Sequence, residues 1–585
     1  MTPSDERPTG SESTAAVLRR GDYTVLLTAA GGGGSTYRGF ALTRWTADRT
    51  RDADGFFVYL RDADTGAVWS AGHQPVRRAA EAYAARLAGG RAEIVRRDAG
   101  IETRLEVRLA AEGDAELRRI TLTNLGDQPR RIEVTTCAEL VLNTPGGDAA
   151  HPAFSKLFVQ TGWMAERESL VAWRRLRSPD DEPLWTLHRL LADEDSLKYE
   201  TDRSRFIGRG RTLDAPAAMD AGARLSGTVG NVLDPVFSLR RVVTVEAGQS
   251  ATLVAVLGAG RTREDVEAIA DRYAGLSAAD AAFEGTLPAD AGDAKALGVP
   301  ESWLANAGRL PGPDAALPLS PRSLRGEGAG GRGTLDPSEA LQFFNGFGGF
   351  SADGREYVIR IPAGEHGPVR PPLPWTNVIA NEHTGFLVSE SGAASTWTAN
   401  SRENRLTPWS NDPVSDPHGE ALYLRDEEAG IAWSPTPGPR PGDGAYETRH
   451  GFGYSRFRHA SRSLEQETTM FVPRHDPVKI VRLRLTNAGD RPRRISAFSY
   501  AQLVLGGLPQ ETGAHVETRY DAAADALLAT NAHRGEFSQR VAFAAAVTAS
   551  ARARILPSPT LFVGEGLRGA GGAHDSSSTS GDSVS

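Results

Sequence analysis

The chain has 585 residues, 40% of them hydrophobic and 24% charged, which is typical of a globular protein and predicts two to four domains. The net charge of −8 argues against nucleic-acid binding, which needs a basic face. The single cysteine, Cys137, excludes an internal disulfide framework and a cysteine-based zinc cluster. Because it lies in the apolar run VTTCAELVL, we expect a buried, inert thiol.

The amino-terminal segment 1–20 contains no apolar stretch of signal-peptide length and is predicted to be disordered. No part of the sequence approaches the roughly 20 apolar residues that span a bilayer. We therefore expect a soluble, cytoplasmic chain without a membrane segment.

The segment 92–110 is predicted to form a β-hairpin. Apolar and charged residues alternate with a period of two, which is typical of a strand with one buried and one solvated face. The turn lies at Asp98-Ala99-Gly100. The buried face comprises Ile101, Thr103, Leu105, Val107 and Leu109, and the solvated face comprises Glu102, Arg104, Glu106 and Arg108.

Several segments occur twice in the same order. The decapeptide LTNLGDQPRR at 122–131 returns as LTNAGDRPRR at 485–494, and YLRDADTGAVWS at 59–70 returns as YLRDEEAGIAWS at 423–434. The copies are separated by similar distances, so they indicate a duplicated domain rather than a local motif or a short solenoid repeat. Each decapeptide is predicted to form a hairpin of the same kind, with a strand, a turn and a second strand, since Asn, Gly, Asp and Pro favour turns.

Helix is predicted mainly at 263–285, at the end of the first copy. Thr262 and Asp265 form a capping-box pattern, and Ser277 is predicted to cap a second short helix. A Pro- and Gly-rich linker is expected at 286–338. The shared apolar face of the first helix comprises Val266, Ile269, Ala270 and Tyr273.

The two copies differ at their ends. After RFIGRG at 205–210, the first copy continues through VLDPVFSLRRVVTVEAGQSATLVAVLG, which predicts further strands. After LFVGEG at 561–566, the second copy has only a low-complexity segment, and 567–585 is predicted to be disordered. The fold is therefore predicted to be mainly β, with two tandem antiparallel sandwiches at 21–285 and 339–566. The second sandwich is expected to lack its last strands and to expose a sheet edge.

Three long strings carry a resemblance to a known family: NGFGGFSADGREYVI at 345–359, PWTNVIANEHTGFLVSESGAASTW at 374–397 and NSRENRLTPWSNDPVSDPHGEALYLRDEEAGIAWSPTP at 400–437. They resemble the amino-terminal supersandwich domain of glycoside hydrolase family 94, formerly glycosyltransferase family 36. The resemblance is to its cyclic β-1,2-glucan synthase-like and glycoside phosphorylase members. The first copy is similar to an earlier sandwich of the same synthases.

In that family, catalysis resides in an (α/α)₆ barrel after the second sandwich, with an Asp as general acid and a phosphate site. The present sequence contains no match to that barrel. The resemblance implies a non-catalytic carbohydrate-binding and assembly portion, without a cofactor, that binds a β-glucan or glucoside, with β-1,2 linkage expected. Two alternatives remain open. One is an active inverting phosphorylase or glycosyltransferase; the other is a structural module that forms a homodimer or holds a barrel-bearing chain.

Comparison of the two copies sorts the candidate site residues. Asp412 and Asp416 precede prolines and correspond to Asp48 and Asp52, which favours a turn in a shared scaffold. Arg402 and Trp409 likewise have counterparts in the first copy. Asn400, Asn404 and Arg405 do not, so they could hydrogen-bond sugar hydroxyls while tryptophan rings stack on glucose, or they could form a polar loop against a barrel. The candidate carbohydrate-binding residues are Trp375, Trp397, Asn400, Arg402, Asn404, Arg405, Trp409 and Asp412.

Overall fold

The computed structural model describes residues 15–46, 52–88, 91–194, 196–284, 290–291, 339–533 and 535–547. The chain divides into two units, the first comprising Met1–Leu324 with Asn411–Ser415 and the second Arg325–Ser410 with Asp416–Ser585. Both are built mainly from antiparallel strands, which confirms the predicted fold class. The first strand begins at Ala15, inside the predicted disordered segment 1–20. The predicted tail 567–585 and all of the predicted linker 286–338 except 290–291 lie outside the described residues.

Among its described residues, the first unit contains two large sheets. Its strands are β1 (Ala15–Arg20), β2 (Tyr23–Thr28), β3 (Gly33–Tyr37), β4 (Phe40–Thr43), β5 (Phe56–Asp62), β6 (Val68–Ser70), β7 (Ala82–Ala88), β8 (Arg91–Asp98), β9 (Ile101–Leu109), β10 (Ala115–Asn124), β11 (Arg130–Asn143), β12 (Val159–Met164), β13 (Ser169–Arg174), β14 (Trp185–Leu191), β15 (Lys198–Asp202), β16 (Pro235–Val245), β17 (Ser250–Gly260) and β18 (Asp290–Ala291). One sheet has the order β15-β16-β11-β4-β3-β2-β1-β18, with β5 paired to β11 and β6 to β5; the other has the order β12-β13-β14-β17-β10-β9-β8-β7.

The main core of the first unit lies between these two sheets. One cluster of buried apolar side chains includes Leu60 and Phe237 from the first sheet and Val107 and Leu257 from the second. The β8–β9 hairpin is present as predicted, with Ala99 and Gly100 at positive φ in its turn. Arg108 is an exception to the predicted alternation, since it is buried and its guanidinium lies 5.4 Å from the ring centroid of Phe283.

The described part of the first unit also contains the helices α1 (Pro145–Ala150), α2 (Pro152–Lys156), α3 (Arg203–Ile207), α4 (Arg263–Arg272) and α5 (Leu276–Ala281). The capping box of Thr262 and Asp265 at α4 is confirmed, as is the buried face of that helix. The prediction for α5 was wrong at its start. Its N-cap residue is Gly275, and Ser277 lies inside the helix, because a glycine can adopt the extended cap conformation without a side-chain acceptor.

The second unit consists of smaller sheets. Its elements are β19 (Gly348–Phe350), β20 (Glu356–Ile361), β21 (Ala363–Gly364), β22 (Gly367–Pro368), β23 (Thr376–Ala380), β24 (Thr384–Ser389), β25 (Ala394–Thr398), β26 (Glu420–Asp426), β27 (Ile431–Trp433), β28 (Tyr446–Gly451), β29 (Tyr454–Ser461), β30 (Leu464–Phe471), β31 (Ile480–Asn487), β32 (Ile495–Ala501), α6 (Pro509–Thr512), β33 (Val516–Asp521), β34 (Ala526–Asn531) and β35 (Ala542–Ala545). The sheet orders are β19-β20-β28-β29-β30-β31, β21-β22, β23-β24-β25, β27-β26-β32 and β33-β34-β35.

The repeated decapeptide is a connection between sheets, not a hairpin. In the first unit it joins β10 to β11, which belong to different sheets, and in the second unit it joins β31 to β32 in the same way. The strand positions were predicted correctly. However, an alternation of apolar and polar residues with a period of two does not show with which other strand a given strand pairs.

The decapeptide also explains why the YLRD motif is repeated. Arg130 forms an ion pair with Asp62, the aspartate of the first YLRD, and Arg493 forms the same pair with Asp426 in the second unit. Each aspartate also accepts two backbone N–H groups from its own turn; for Asp62 these are the N–H groups of Asp64 and Thr65. The two repeated strings are therefore coupled parts of one scaffold in both units.

Cys137 is buried in β11, and burial raises the pKa of its thiol well above the ordinary value, as expected for an inert cysteine. In the described part of the chain, we find no helix with the length and hydrophobicity required to cross a bilayer.

Candidate functional site

Two of the candidate residues shape the loop that follows β25. The Asn400 side-chain oxygen accepts the backbone N–H groups of Arg402 and Glu403, each at 2.9 Å, which forms an Asx turn. The Asn404 side chain is fully buried and donates to the carbonyl of Thr398 at 2.8 Å. Both asparagines thus hold the loop in shape.

Arg405 is anchored at its backbone and its side chain. Its backbone bridges to Trp397 on one side and Gly506 on the other. Its guanidinium Nε donates to the carbonyl of Ser401 at 3.1 Å. Burial, together with the neighbouring charge of Arg402, lowers the pKa of Arg405. The Arg405 guanidinium therefore donates to a backbone carbonyl of its own loop, which gives it a role in holding the loop rather than in binding a ligand.

Three further candidates on this loop are at least partly exposed. The Arg402 side chain is 73% exposed and lies 3.2 Å from Glu403. Trp397 and Trp409 are half-buried. The Trp397 ring covers Gly385 on β24, where a Cβ atom would come within 2.6 Å of the ring. Gly385 therefore permits the position of this ring. We call residues 397–409 the Trp397 loop. Its exposed part, as the term is used below, comprises Trp397, Arg402 and Trp409, whereas the exposed Asn400 is occupied by its own turn.

Trp375 does not join this loop. Its backbone N–H donates to Glu390 at 2.7 Å, and its ring packs edge-on against Tyr357 with centroids 5.8 Å apart. The pairing register places Trp397 opposite Gly385, whereas Trp375 lies level with Glu390, five residues along the β24 direction. At about 3.3 Å per residue, this is a separation of about 16 Å. The two rings are thus too far apart to stack on one glucose unit.

Asp412 belongs to the first unit, whereas the other seven candidates belong to the second. Arg203 donates to both Asp412 carboxylate oxygens, at 3.0 and 2.9 Å. Burial acts to raise the pKa of Asp412, but the Arg203 charge outweighs it and holds the pKa well below its usual range. A carboxylate that stays ionised cannot serve as a general acid.

Arg203 lies at the centre of a buried charge cluster in the first unit. It contacts Glu139 at 2.6 Å and Asp234 at 2.8 Å in addition to Asp412. Lys156 also pairs with Asp234. The acidic members of this cluster are therefore neutralised by cations, which fits a structural role.

The carboxylates of Asp52 and Asp416 fix equivalent turns in the two units. Asp416 accepts the hydroxyls of Ser389 at 2.8 Å and Ser391 at 2.6 Å, and Asp52 accepts the hydroxyl of Thr28 at 2.7 Å. Both aspartates have positive φ values, 47° and 43°. This agreement supports the interpretation that these positions belong to the shared scaffold. Asp48 lies outside the described residues.

We expect Asp416→Ala to destabilise the second unit by about 1–3 kcal/mol, because the buried hydroxyls of Ser389 and Ser391 lose a common acceptor. Asp443→Ala is the control, since the Asp443 side chain is 79% exposed. The difference is measured by monitoring hydrogen exchange of amides in the second unit during unfolding in guanidinium. Equal effects of the two substitutions would contradict the assigned role.

An ion pair close to the Trp397 loop was not among the residues predicted from the sequence. Glu420 accepts the hydroxyls of Thr396 at 2.5 Å and Thr407 at 2.6 Å and pairs with Lys479. Burial acts to raise the pKa of Glu420, but Lys479 and these hydroxyls outweigh it, so the pKa is lowered. One feature of the sequence could have pointed to this ion pair. Lysine is rare here, and Lys479 is one of only four lysines in the sequence.

Among the residues that the structure describes, no group of histidine, cysteine and acidic side chains is arranged to hold a metal ion. The polar groups around the Trp397 loop are hydrogen-bond donors and acceptors beside two partly exposed indole rings. Such a set can bind a sugar through hydroxyl contacts and stacking.

Comparison with known proteins identifies a family for the chain. The family described as glycosyl hydrolase 94, supersandwich domain, matches residues 2–276 and 355–566. The chain is 32% identical to cyclic beta-(1,2)-glucan synthase NdvB of Rhizobium meliloti (strain 1021), over 92% of the chain and 24% of that protein. It is 31% identical to N,N'-diacetylchitobiose phosphorylase of Vibrio furnissii, over 31% of the chain and 22% of the relative.

A third relative, solabiose phosphorylase of Paenibacillus borealis, is 27% identical over 36% of the chain and 26% of its own length. The chain thus spans about a quarter of the length of each of these three relatives. Because the family match covers both units and more than half of the sequence, the chain belongs to the glycosyl hydrolase 94 supersandwich domain family.

Proposed function

We propose that the chain is the non-catalytic carbohydrate-binding and assembly portion of a cyclic β-1,2-glucan synthase-like or glycoside phosphorylase-like protein. The main support is the similarity of 92% of the chain to a cyclic beta-(1,2)-glucan synthase. The expected ligand is a β-1,2-linked glucan or glucoside.

The exposed part of the Trp397 loop is the proposed contact surface. An indole ring suits the apolar face of a glucose ring, and the exposed Arg402 guanidinium suits its hydroxyls. Asn400, Asn404 and Arg405 would act indirectly by holding the loop in shape. Trp375 lies about 16 Å from Trp397 by the strand spacing, and Asp412 is already bound by Arg203, so the proposed contact surface includes neither.

Calorimetric titration with β-1,2-linked gluco-oligosaccharides tests this proposal. We expect binding to the wild-type chain and a loss of at least tenfold in affinity for Trp397→Ala, because stacking and burial of a sugar face disappear. Trp375→Ala is the matched control, as it removes the same side chain about 16 Å away by the strand spacing. No binding by the wild type, or equal losses in both variants, would contradict the proposal.

The competing function, an active inverting phosphorylase, predicts release of glucose 1-phosphate from a β-glucoside in the presence of phosphate. Phosphorolysis needs a carboxylic acid that protonates the leaving oxygen. Asp412, the only carboxylate among the candidates, is ionised and bound by Arg203. We therefore expect no release, and phosphate-dependent release by the purified chain would overturn the non-catalytic assignment. A purely structural role would leave sugar binding absent and a dimer present in light scattering.

A further inference from the structure

One end of the first unit presents exposed apolar side chains where α2 leads into β12. The Phe154 side chain is 55% exposed, and its ring packs edge-on against the half-buried ring of Phe158, with centroids 5.2 Å apart. Leu157, between them in the sequence, is also exposed. Apolar residues on a protein surface are usually scattered singly, so a group of neighbours marks a candidate interaction surface.

The segment before β16 extends this surface. Thr161 of β12 forms an antiparallel bridge to Gly230, and the same register continued along both segments brings Leu233 level with Phe158. Leu233 is 67% exposed. Phe154 and Leu233, each more than half exposed, therefore protrude from the surface close to the Phe158 ring.

Three arginines lie around the same ring. The guanidinium carbons of Arg174, Arg175 and Arg177 are 5.1, 5.9 and 5.7 Å from the Phe158 centroid, which is within cation–π distance. Leu176, between two of these arginines in the sequence, is exposed. The exposed apolar residues and these three arginines form one surface, which we call the Phe158 patch.

Two of the arginines are fixed at the level of the apolar side chains. Arg174 donates to the carbonyl of Ser155 and Arg175 to the carbonyl of Leu157, each at 3.0 Å. These acceptors are neutral and do not balance the positive charges. Among the described residues, no carboxylate forms an ion pair with Arg174, Arg175 or Arg177. The patch therefore keeps positive charge available for an external anion.

Two carboxylates near the arginines have other partners. Asp181 accepts the backbone N–H groups of Arg177 and Ser178, at 2.7 and 3.2 Å. Asp148 pairs with Arg44 at 2.8 Å. Both carboxylates are thus engaged within the fold and leave the guanidinium groups of the patch to solvent.

The composition of the patch fits the surface of an anionic phospholipid bilayer. Protruding phenylalanine and leucine side chains can enter the head-group layer, while arginines beside them bind the phosphates. The chain carries a net charge of −8, so an anionic bilayer repels most of its surface and attracts this face. A free phosphate ion would leave the apolar side chains exposed and would account for only half of the patch.

We propose that the Phe158 patch docks the chain peripherally on a bilayer that contains anionic phospholipids. The apolar side chains enter the head-group layer, and the three guanidinium groups contact lipid phosphates. The first unit makes this contact, which does not depend on sugar binding at the Trp397 loop.

Co-sedimentation of the full 585-residue chain with lipid vesicles tests the proposal. We expect at least tenfold tighter binding to vesicles of equal parts phosphatidylglycerol and phosphatidylcholine than to phosphatidylcholine alone, with a loss of binding as NaCl rises from about 0.05 to about 0.5 M. On the vesicles, amides 153–158 and 175–178 should exchange more slowly, whereas those of β8 and β9 should not change. Absence of binding, equal binding to both vesicles, or unchanged exchange of amides 153–158 would overturn the proposal.

Two soluble anions distinguish a bilayer from other sources of negative charge. Glycerol phosphate at millimolar concentration should not displace the chain from vesicles, because it offers the anion without an apolar layer. Polyglutamate should not slow the exchange of amides 153–158. Displacement by glycerol phosphate would mean that the patch binds a free phosphate group, and protection by polyglutamate would mean that it binds an acidic protein. Either result contradicts docking on a bilayer.

Phe154→Asp tests the apolar contact, since it places a negative charge at an exposed position. We expect at least a tenfold loss of vesicle affinity. Leu125→Asp is the control, because it changes an exposed leucine at the opposite end of the same sheet, and it should bind as the wild type does. Unchanged exchange in β13 and β14 shows that each variant is folded. Normal binding by Phe154→Asp would refute the proposed contact.

Arg177→Gln and Asp180→Asn test the role of charge. Arg177→Gln should weaken binding to the phosphatidylglycerol vesicles about fivefold, while the control Arg263→Gln, at an exposed position of α4, should bind as the wild type does. Asp180 is an exposed carboxylate in the turn after Arg177, so Asp180→Asn should strengthen binding by about the same factor. Equal effects of the two arginine substitutions, or weaker binding by Asp180→Asn, would overturn the proposal.

Discussion

Arg203→Met will lower the free energy of unfolding of the first unit by about 3–5 kcal/mol at pH 7, the range for removal of one partner from a buried ion cluster. The substitution leaves Glu139, Asp234 and Asp412 in place with less positive charge, and Arg203 contacts all three of them. Lys156 still neutralises Asp234. Hydrogen exchange in β11 and β16, followed through guanidinium unfolding, measures the loss.

Arg205→Met is the matched control, two residues away on the same short helix. Its side chain is 58% exposed and lies 3.6 Å from Asp202, so we expect a change below about 1 kcal/mol. If Arg203→Met were no more destabilising than Arg205→Met, the cluster would have no structural importance.

The difference between wild type and Arg203→Met should shrink as the pH falls. In the wild type the folded-state pKa values of Asp412 and Glu139 are lowered, so their stabilising contribution is complete above the unfolded pKa values near 4 and is lost at lower pH. In the variant, we expect burial without Arg203 to raise the pKa values of Asp412 and Glu139. Protonation at lower pH then removes the free-energy cost of burying their charges. Unfolding curves at pH 7, 5 and 4 should converge; a constant difference would contradict this account.

Lys479→Met is expected to destabilise the second unit by about 3–5 kcal/mol at pH 7, because Glu420, whose side chain is only 18% exposed, would lose its cation. Lys479 also lies 4.3 Å from the centroid of the Phe386 ring, a contact that Met partly keeps. The loss should decrease toward pH 5, since the pKa of Glu420 rises once Lys479 is removed. Unfolding monitored by hydrogen exchange in β24–β26 provides the measurement.

Lys198→Met makes the same chemical change at an exposed position of β15 and serves as the control. We expect it to change stability by less than about 0.5 kcal/mol. A double variant with Glu420→Gln should recover part of the loss, because the uncompensated charge is gone. Failure of this recovery would show that Lys479 acts through packing alone.

Local patterns in the sequence predicted much of the fold. The turn at Ala99-Gly100 and the capping box at Thr262 depend on neighbouring residues, and both are present. Which strands become neighbours depends on contacts between distant residues, so the sheet-to-sheet path of the decapeptide was mistaken for a hairpin. The burial of Arg108 likewise depends on Phe283, which is remote in sequence.

The candidate site was predictable only as a region. The long string at 400–437 located the Trp397 loop, and polarity suggested that Asn404 and Arg405 could meet a ligand. Their hydrogen bonds to Thr398 and Ser401 instead hold the loop, a distinction that composition does not make. The partner of Asp412 is 209 residues away in the sequence, and no local pattern predicts it.

The assignment of Asn411–Ser415 to the first unit has a practical consequence for dissecting the protein. A gene cut within 286–338 would separate Arg203 from the carboxylate of Asp412 and would remove Val414 from the apolar cluster around Phe206. We expect an isolated amino-terminal half to be less stable, because residues 411–415 of the first unit would be missing. A first unit produced alone should therefore carry residues 411–415 fused through a short linker, so that these contacts are kept.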